Sequence, residues 1–267
     1  MAAPPAPSAV PIQLGMIGFG VLGRELAAIF GPDTALWRVL TRTGSFGQVP
    51  RHVNAVANIE ALIAARPAAV IEAAGQTAVE AYVPRLVAAG IPVIIASTGA
   101  LANPAVAARI EAAHRQSRTP YLTAPGAIGG LDYVASVAGL PDARLRYISR
   151  KPPAAWAEEL AARGLSADRE AVDLFEGTAE AATLLYPRNL NAALTLALAC
   201  RPAPLSVRII ADPAVTGNVH EIEVESVAGR AQFRFANVPS PDNPKTSRVT
   251  ALSLAAALRG LLAGSLR

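Results

Sequence analysis

The sequence predicts an α/β protein of two domains. Three observations carry this: a glycine-rich turn between an apolar run and an amphipathic run near the start, alternating strand and helix patterns through the first half, and longer, more closely spaced strand patterns in the second. The 267 residues suit one large domain or two moderate ones. The first domain is predicted over residues 12–125, with a parallel sheet covered on both faces. The second is predicted over residues 126–245 as an α+β domain with a mostly antiparallel sheet. A final helix over residues 246–263 is expected to pack back on the first domain.

The turn is Gly18-Phe19-Gly20-Val21-Leu22-Gly23, entered from Ile12–Ile17 and left through the helical pattern Val21–Phe30. The first glycine makes the tight turn, the second lets the backbone approach a pyrophosphate, and the third lets the helix pack close to the strand. N–H groups at the helix start favour an anion. The six residues alone match often in a chain with 20 glycines. Strand before, helix after and position at the start make them the opening of a Rossmann dinucleotide-binding unit.

After that helix, Gly31-Pro32-Asp33 breaks the chain and a strand follows at Ala35–Leu40. Further strands are predicted at Ala68–Ala73, Pro92–Ala96 and Tyr121–Thr123, with helices at Thr77–Ala89, ended by Gly90, and at about Asn103–Ser117. The pattern changes at Ala124-Pro125-Gly126-Ala127-Ile128-Gly129-Gly130. Beyond it, strands are predicted at Arg144–Arg150, Leu205–Ala211, His220–Val227 and Gln232–Val238, the last two forming a hairpin across Ala228-Gly229-Arg230.

In this kind of domain, the end of the second strand meets the adenosine ribose, and an acid there selects NAD. Here the strand ends Leu40-Thr41-Arg42-Thr43, with no acid. Arg42 is either a fork for a 2′-phosphate or a solvated loop arginine. NADP or NAD is therefore expected as cofactor. The third and fourth strands end in small residues, Ala74 and Gly75 in one case and Ser97 before Thr98-Gly99-Ala100 in the other. These leave room for a nicotinamide ribose.

Oxidising an amine or hydroxyl needs an acid–base group beside the cofactor, and histidine suits it. His52 and His114 lie in polar segments and read as surface residues. His220 follows a turn-rich loop and opens a strand, where either a catalytic or a structural histidine fits. Asn189 and Asn191 flank the start of an apolar helix, as ligand contacts or caps. Lys245-Thr246-Ser247 is expected to open the last helix, where its amides would hold an anion or Thr246 would cap. Cys200, the single cysteine, ends an apolar helical run and reads as a buried thiol. No metal site is expected.

Composition narrows the classes. Hydrophobic residues make up 52% and charged residues 16%, which excludes a disordered chain. No apolar run reaches the length of a membrane span. Residues 1–11 are rich in alanine and proline without a basic n-region, and read as a disordered leader rather than a signal peptide. One cysteine excludes an intrachain disulfide, and these features together point to the cytoplasm. The net charge of +4 comes without a basic cluster, so no nucleic-acid partner is expected.

The ordered segments resemble the L-aspartate dehydrogenase family over nearly the whole length. They are the glycine turn, Ile71-Glu72-Ala73-Ala74-Gly75, Ser97-Thr98-Gly99-Ala100-Leu101, Gly126-Ala127-Ile128-Gly129-Gly130-Leu131-Asp132, Arg150-Lys151-Pro152-Pro153, Phe175-Glu176-Gly177, Pro187-Arg188-Asn189-Leu190-Asn191, Ala211-Asp212-Pro213, Asn218-Val219-His220 and Asn243-Pro244-Lys245-Thr246-Ser247. The resemblance implies a Rossmann domain with an α/β catalytic domain, a homodimer, and reversible NAD(P)-dependent oxidative deamination of L-aspartate through iminoaspartate to oxaloacetate and ammonia. Such a reaction either supplies iminoaspartate for pyridine nucleotide biosynthesis or makes aspartate. The resemblance also implies His220 as the acid–base residue, with Ala127 and either Asn189 or Asn191 at the nicotinamide. For the substrate carboxylates, Lys245 and the start of the last helix with Thr246 are candidates, Arg150 and Lys151 weaker ones. Two departures stand out: Gln76 where many relatives carry histidine, and Asn191-Ala192-Ala193 where many carry Asn-Val-Ala. Rival readings are a two-domain reductase of another amino acid or cyclic imine, and a non-catalytic NADP(H)-binding protein. An acylating semialdehyde dehydrogenase needs a reachable cysteine, which Cys200 in an apolar helix does not supply.

Overall fold

The structure is a computed structural model that describes residues 10–41, 49–186, 191–241 and 243–264, without the side chains of Thr183, Pro244 and Lys245. The chain divides into two compact units. One takes the residues through Ala100, then Ala105–Leu122 and those from Leu254 onward; the other takes Leu101–Pro104 and Thr123–Ser253.

The first unit runs β1 (Ile12–Ile17), α1 (Val21–Ile29), β2 (Ala35–Leu40), β3 (Val53–Val56), α2 (Ile59–Ala64), β4 (Val70–Glu72), α3 (Gln76–Ala88), β5 (Val93–Ile95), α4 (Pro104–Ser117) and β6 (Tyr121–Thr123). Its six-stranded sheet has the order β3-β2-β1-β4-β5-β6. The pairings of β1 with β2 and β4, of β2 with β3, and of β4 with β5 are parallel. The order reverses beside β1, so ligands are expected at the carboxyl edge of β1 and β4. The strands are short and apolar because both faces are buried: Leu14, Met16, Trp37, Val39, Ile71, Ile94 and Ile95 are all core.

The second unit runs α5 (Leu131–Val137), β7 (Arg144–Lys151), α6 (Ala157–Ala162), β8 (Val172–Thr178), α7 (Ala179–Leu185), α8 (Asn191–Ala199), β9 (Leu205–Ala211), β10 (Asn218–Ser226), β11 (Gly229–Asn237), β12 (Pro239–Ser240), β13 (Asn243–Ser247) and the start of α9 (Val249–Leu262). Its five-stranded sheet has the order β11-β10-β7-β9-β8. The expected hairpin is present as β10 and β11. The sheet is mixed: β10 pairs antiparallel with β11 and β7, and β8 with β9, whereas β7 and β9 pair parallel in register Leu145↔Leu205 through Lys151↔Ala211. A parallel pair needs a long crossover. That crossover contains β8 and α7, of which the sequence pattern did not reveal β8.

Two expectations are corrected. Lys245, Thr246 and Ser247 do not open the last helix; they lie in β13, paired with β12, and α9 starts at Val249. The residue before a proline resists the helical region, which holds Asn243 extended ahead of Pro244. His52 is not a surface residue. It is buried, with Nε2 3.0 Å from the carbonyl of Ala27 on α1. His114 is part-buried, with Nδ1 2.8 Å from the Thr119 carbonyl.

Candidate active site

The glycine turn is built for close approach. Gly18 has φ +87°, and a Cβ there would lie 2.7 Å from the Ala73 carbonyl oxygen, so only glycine lets the turn touch the end of β4. A Cβ on Gly23 would lie 2.9 Å from the Met16 sulfur and 3.0 Å from the Gly18 oxygen, which is the close packing of α1 on β1. Gly20 differs: a Cβ there would meet nothing within 4 Å. Gly20 is the N-cap of α1, no side chain caps the helix, and its first turn holds no acid. Phe19 is buried, whereas Val21 and Leu22 are half-buried. The turn therefore fits the pyrophosphate of a dinucleotide: open space over an uncapped helix start, with no acidic residue in its first turn to repel an anion.

Beside it, the fully buried Glu72 at the end of β4 organises the two neighbouring strand ends. Its Oε1 accepts the N–H groups of Ala74 at 2.8 Å and Gly75 at 2.9 Å and the Ser97 hydroxyl at 3.0 Å, and its Oε2 accepts the Ser97 N–H at 3.0 Å. Burial pushes the Glu72 carboxyl above its ordinary range, and the three backbone N–H groups and Ser97 pull against that. The structure thus ties together Ala74, Gly75 and Ser97 through Glu72, a residue with no separate role in the sequence pattern. A buried acid closing an apolar strand was the available signal. Arg42 lies outside the described residues.

In the second unit, alternation along β10 puts His220, Ile222 and Val224 on the face toward the core. Cross-strand register places His220 between Phe235 of β11 and Ser149 of β7, and Ile222 between Phe233 and Tyr147. His220 is 4% exposed. Its Nδ1 is 2.7 Å from the Tyr147 hydroxyl, with the two rings inclined by 19°, and its Nε2 is buried without a hydrogen-bond partner among the described residues. Burial, and then the positive charge of Lys151, push the imidazole down to about 3, so the ring is neutral near pH 7. Lys151 ends β7 on the face that carries Tyr147 and Ser149. It is 3% exposed, with Nζ 5.1 Å from the Trp156 ring centroid.

The edge where β10 begins collects further polar groups. Asn218 donates to the Ser247 hydroxyl at 3.3 Å, and Asn237 donates to the Ala127 carbonyl at 2.8 Å. The Ala127 turn is also held by the Gly126 N–H, which donates to Ser253 at 2.9 Å, and by Gly129 and Gly130, where a Cβ would press on Phe235 and Phe233. Arg150 is already engaged: it donates to Glu221 and Asp212, at 3.1 Å each. Asn191 begins α8 and is half-buried; Asn189 lies outside the described residues. Thr246 accepts from the Asn243 amide at 3.0 Å. The sequence reading missed Tyr147, Ser149 and Asn237. The signal was present in β7, where Tyr147, Ser149 and Lys151 occupy the positions that alternate in phase with core Leu145.

Comparison with known proteins decides the family. A model described as "Aspartate dehydrogenase, C-terminal" matches residues 132–261, and one described as "Homoserine dehydrogenase, NAD binding domain" matches residues 18–123. L-aspartate dehydrogenase 2 of Bordetella pertussis is 39% identical over 259 residues, covering 94% of this chain and 97% of that protein. The chain belongs to the L-aspartate dehydrogenase family. Another member, L-aspartate dehydrogenase of Ruegeria pomeroyi, is 36% identical over 253 residues, covering 93% of this chain and 92% of that one. The crystal structure of aspartate dehydrogenase from Thermotoga maritima matches with a TM-score of 0.77 at 26% identity, over 94% of this chain and 96% of that one. Among the described residues, no group of three or more potential ligands could hold a metal ion, and no helix is long and apolar enough to cross a membrane.

Proposed function

We propose that this member of the family catalyses the NAD(P)-dependent oxidative deamination of L-aspartate to oxaloacetate and ammonia, reversibly, with His220 as the acid–base residue. The observation that carries the reading is the buried His220 Nε2, a proton-transfer atom with no hydrogen-bond partner among the described residues, in a family whose named members are L-aspartate dehydrogenases. A bound nicotinamide dinucleotide would accept the α-hydrogen of the substrate as a hydride. The Gly18–Gly23 turn would hold its pyrophosphate, and Ala74, Gly75 and Ser97 would shape the space for the nicotinamide ribose. Ala127 and Asn189 or Asn191 would contact the nicotinamide, and Arg42 would admit a 2′-phosphate.

His220 supplies the proton steps at Nε2. It removes the proton from the α-ammonium, because a positive nitrogen opposes hydride departure, and releases that proton to solvent; the ring, neutral again, then deprotonates the water that adds to iminoaspartate and passes this second proton to the departing ammonia. A neutral ring is the form required for both steps. Lys151, Lys245 and Thr246 are the candidates to bind the carboxylates, whereas the two acidic partners of Arg150 compete with any substrate. A homodimer is the assembly expected from the resemblance.

The test is a substrate screen followed by nicotinamide absorbance with both cofactors. Turnover of L-aspartate, and of oxaloacetate with ammonia, is the expected result. Turnover of a cyclic imine or another amino acid instead, or dinucleotide binding without turnover of any of these, would overturn the reading.

A further inference from the structure

The two ring nitrogens of His220 have different surroundings. Nδ1 is 2.7 Å from the Tyr147 hydroxyl, and Nε2 is buried with no hydrogen-bond partner among the described residues. A neutral imidazole carries one proton, so two arrangements exist. In the first, Tyr147 donates to Nδ1 and the proton sits on Nε2, which leaves a buried N–H without an acceptor. In the second, Nδ1–H donates to the Tyr147 oxygen and Nε2 presents a lone pair. Orphaned buried N–H groups are rarer than acceptors with a spare lone pair. The second arrangement also asks for somewhere to direct the tyrosine's own O–H. Ser149 lies two residues beyond Tyr147 on the same face of β7, and its Oγ is itself buried without a hydrogen-bond partner among the described residues.

We propose that Tyr147 is a positioning residue that holds His220 with its proton on Nδ1, leaving the Nε2 lone pair as the proton acceptor of the site, while the Tyr147 hydroxyl turns toward Ser149. The proposal rests on the acid–base reading of His220. Its proton balance is simple. When Nε2 takes a proton from an ammonium or a water, the ring becomes an imidazolium, Nδ1–H stays donated to Tyr147, and no other proton moves. The opposite tautomer offers Nε2 already occupied. Tyr147 is fully buried, and burial raises its pKa, so it stays a neutral dipole rather than a phenolate.

Nitrogen NMR of protein labelled at its three histidines reads the tautomer directly, without substrate or cofactor. The His220 signals, assigned with His220→Gln, are expected to show a protonated Nδ1 and a bare Nε2. In Tyr147→Phe, which keeps the ring and removes the hydroxyl, the proton is expected to move to Nε2. The kcat for aspartate is expected to fall about tenfold or more while KM for the dinucleotide holds. A proton on Nε2 in the wild type, or an unchanged tautomer in Tyr147→Phe, overturns the proposal. Should Tyr147→Phe not fold, Ser149→Ala replaces it: a shift toward the Nε2–H form supports the proposal and an unchanged spectrum overturns it. Because the spectrum needs no turnover, inactivity toward aspartate would remove the functional reading and leave the tautomer result standing.

Discussion

The Glu72 carboxylate accepts both the backbone N–H and the hydroxyl of Ser97, at 3.0 Å each, and so fastens the end of β4 to the end of β5. The same carboxylate holds Ala74 and Gly75. Glu72→Ala strands these donors, and an unsatisfied buried donor costs roughly 1–3 kcal/mol. A stability loss of about 3 kcal/mol or more in urea unfolding is expected, together with weaker NADPH or NADH binding by fluorescence titration. Unchanged affinity would show that the two strand ends do not shape the nucleotide site.

The glycines of the turn separate folding from binding. Gly18→Ala forces a side chain into a positive φ and against the Ala73 backbone. It is expected to lower Tm, with a cost of about 1–3 kcal/mol. Gly20→Ala meets no protein atom. Its Tm is expected to stay near wild type while dinucleotide affinity falls. Equal affinity in Gly20→Ala and wild type would place the pyrophosphate elsewhere.

His220→Ala is expected to reduce kcat by about 10²–10⁴-fold, the usual worth of a positioned acid–base group. Dinucleotide affinity measured by titration is expected to be retained. A variant with near wild-type kcat would remove the acid–base assignment.

His220 also makes stability depend on pH. Its folded pKa of about 3 lies below the ordinary histidine value of 6.5, so the unfolded chain binds the extra proton first. The contribution is fully present above the unfolded value and is lost as pH falls through the window between the two. The slope is about 1.4 kcal/mol per pH unit from this one group. Urea midpoints of wild type and His220→Gln, compared across that range, are expected to converge as pH falls.

Arg42→Ala is expected to weaken NADP about tenfold more than NAD, the worth of a charge-assisted phosphate contact. Equal loss for both dinucleotides would leave Arg42 as an ordinary loop residue.

What could be read in advance followed from local rules. β1, β2 and β9 are written in the sequence with their observed bounds, because each is an apolar run between turn residues. The Gly18–Gly23 turn is equally local: its geometry is a property of consecutive residues. The partners of His220 are not. Tyr147 is 73 residues away and meets it only through the register of β7 and β10. Register depends on long-range pairing that no local pattern encodes. β13 was read as a helix start because Thr246 and Ser247 are good caps, and the pairing with β12 outweighed that preference. His52 looked solvated in a polar segment, yet the α1 carbonyl of Ala27 satisfies its ring and lets it be buried.

The parallel pairing of β7 with β9 has an evolutionary consequence. Both strands end at one edge, at Lys151 and Ala211, where β10 begins at Asn218. The loops that follow can lengthen or change sequence at that edge. The cross-strand rows containing His220, Ser149 and Tyr147 lie further in, held by ladder pairing on both sides. Such a sheet can change the loops at its rim and leave the row of His220 in place.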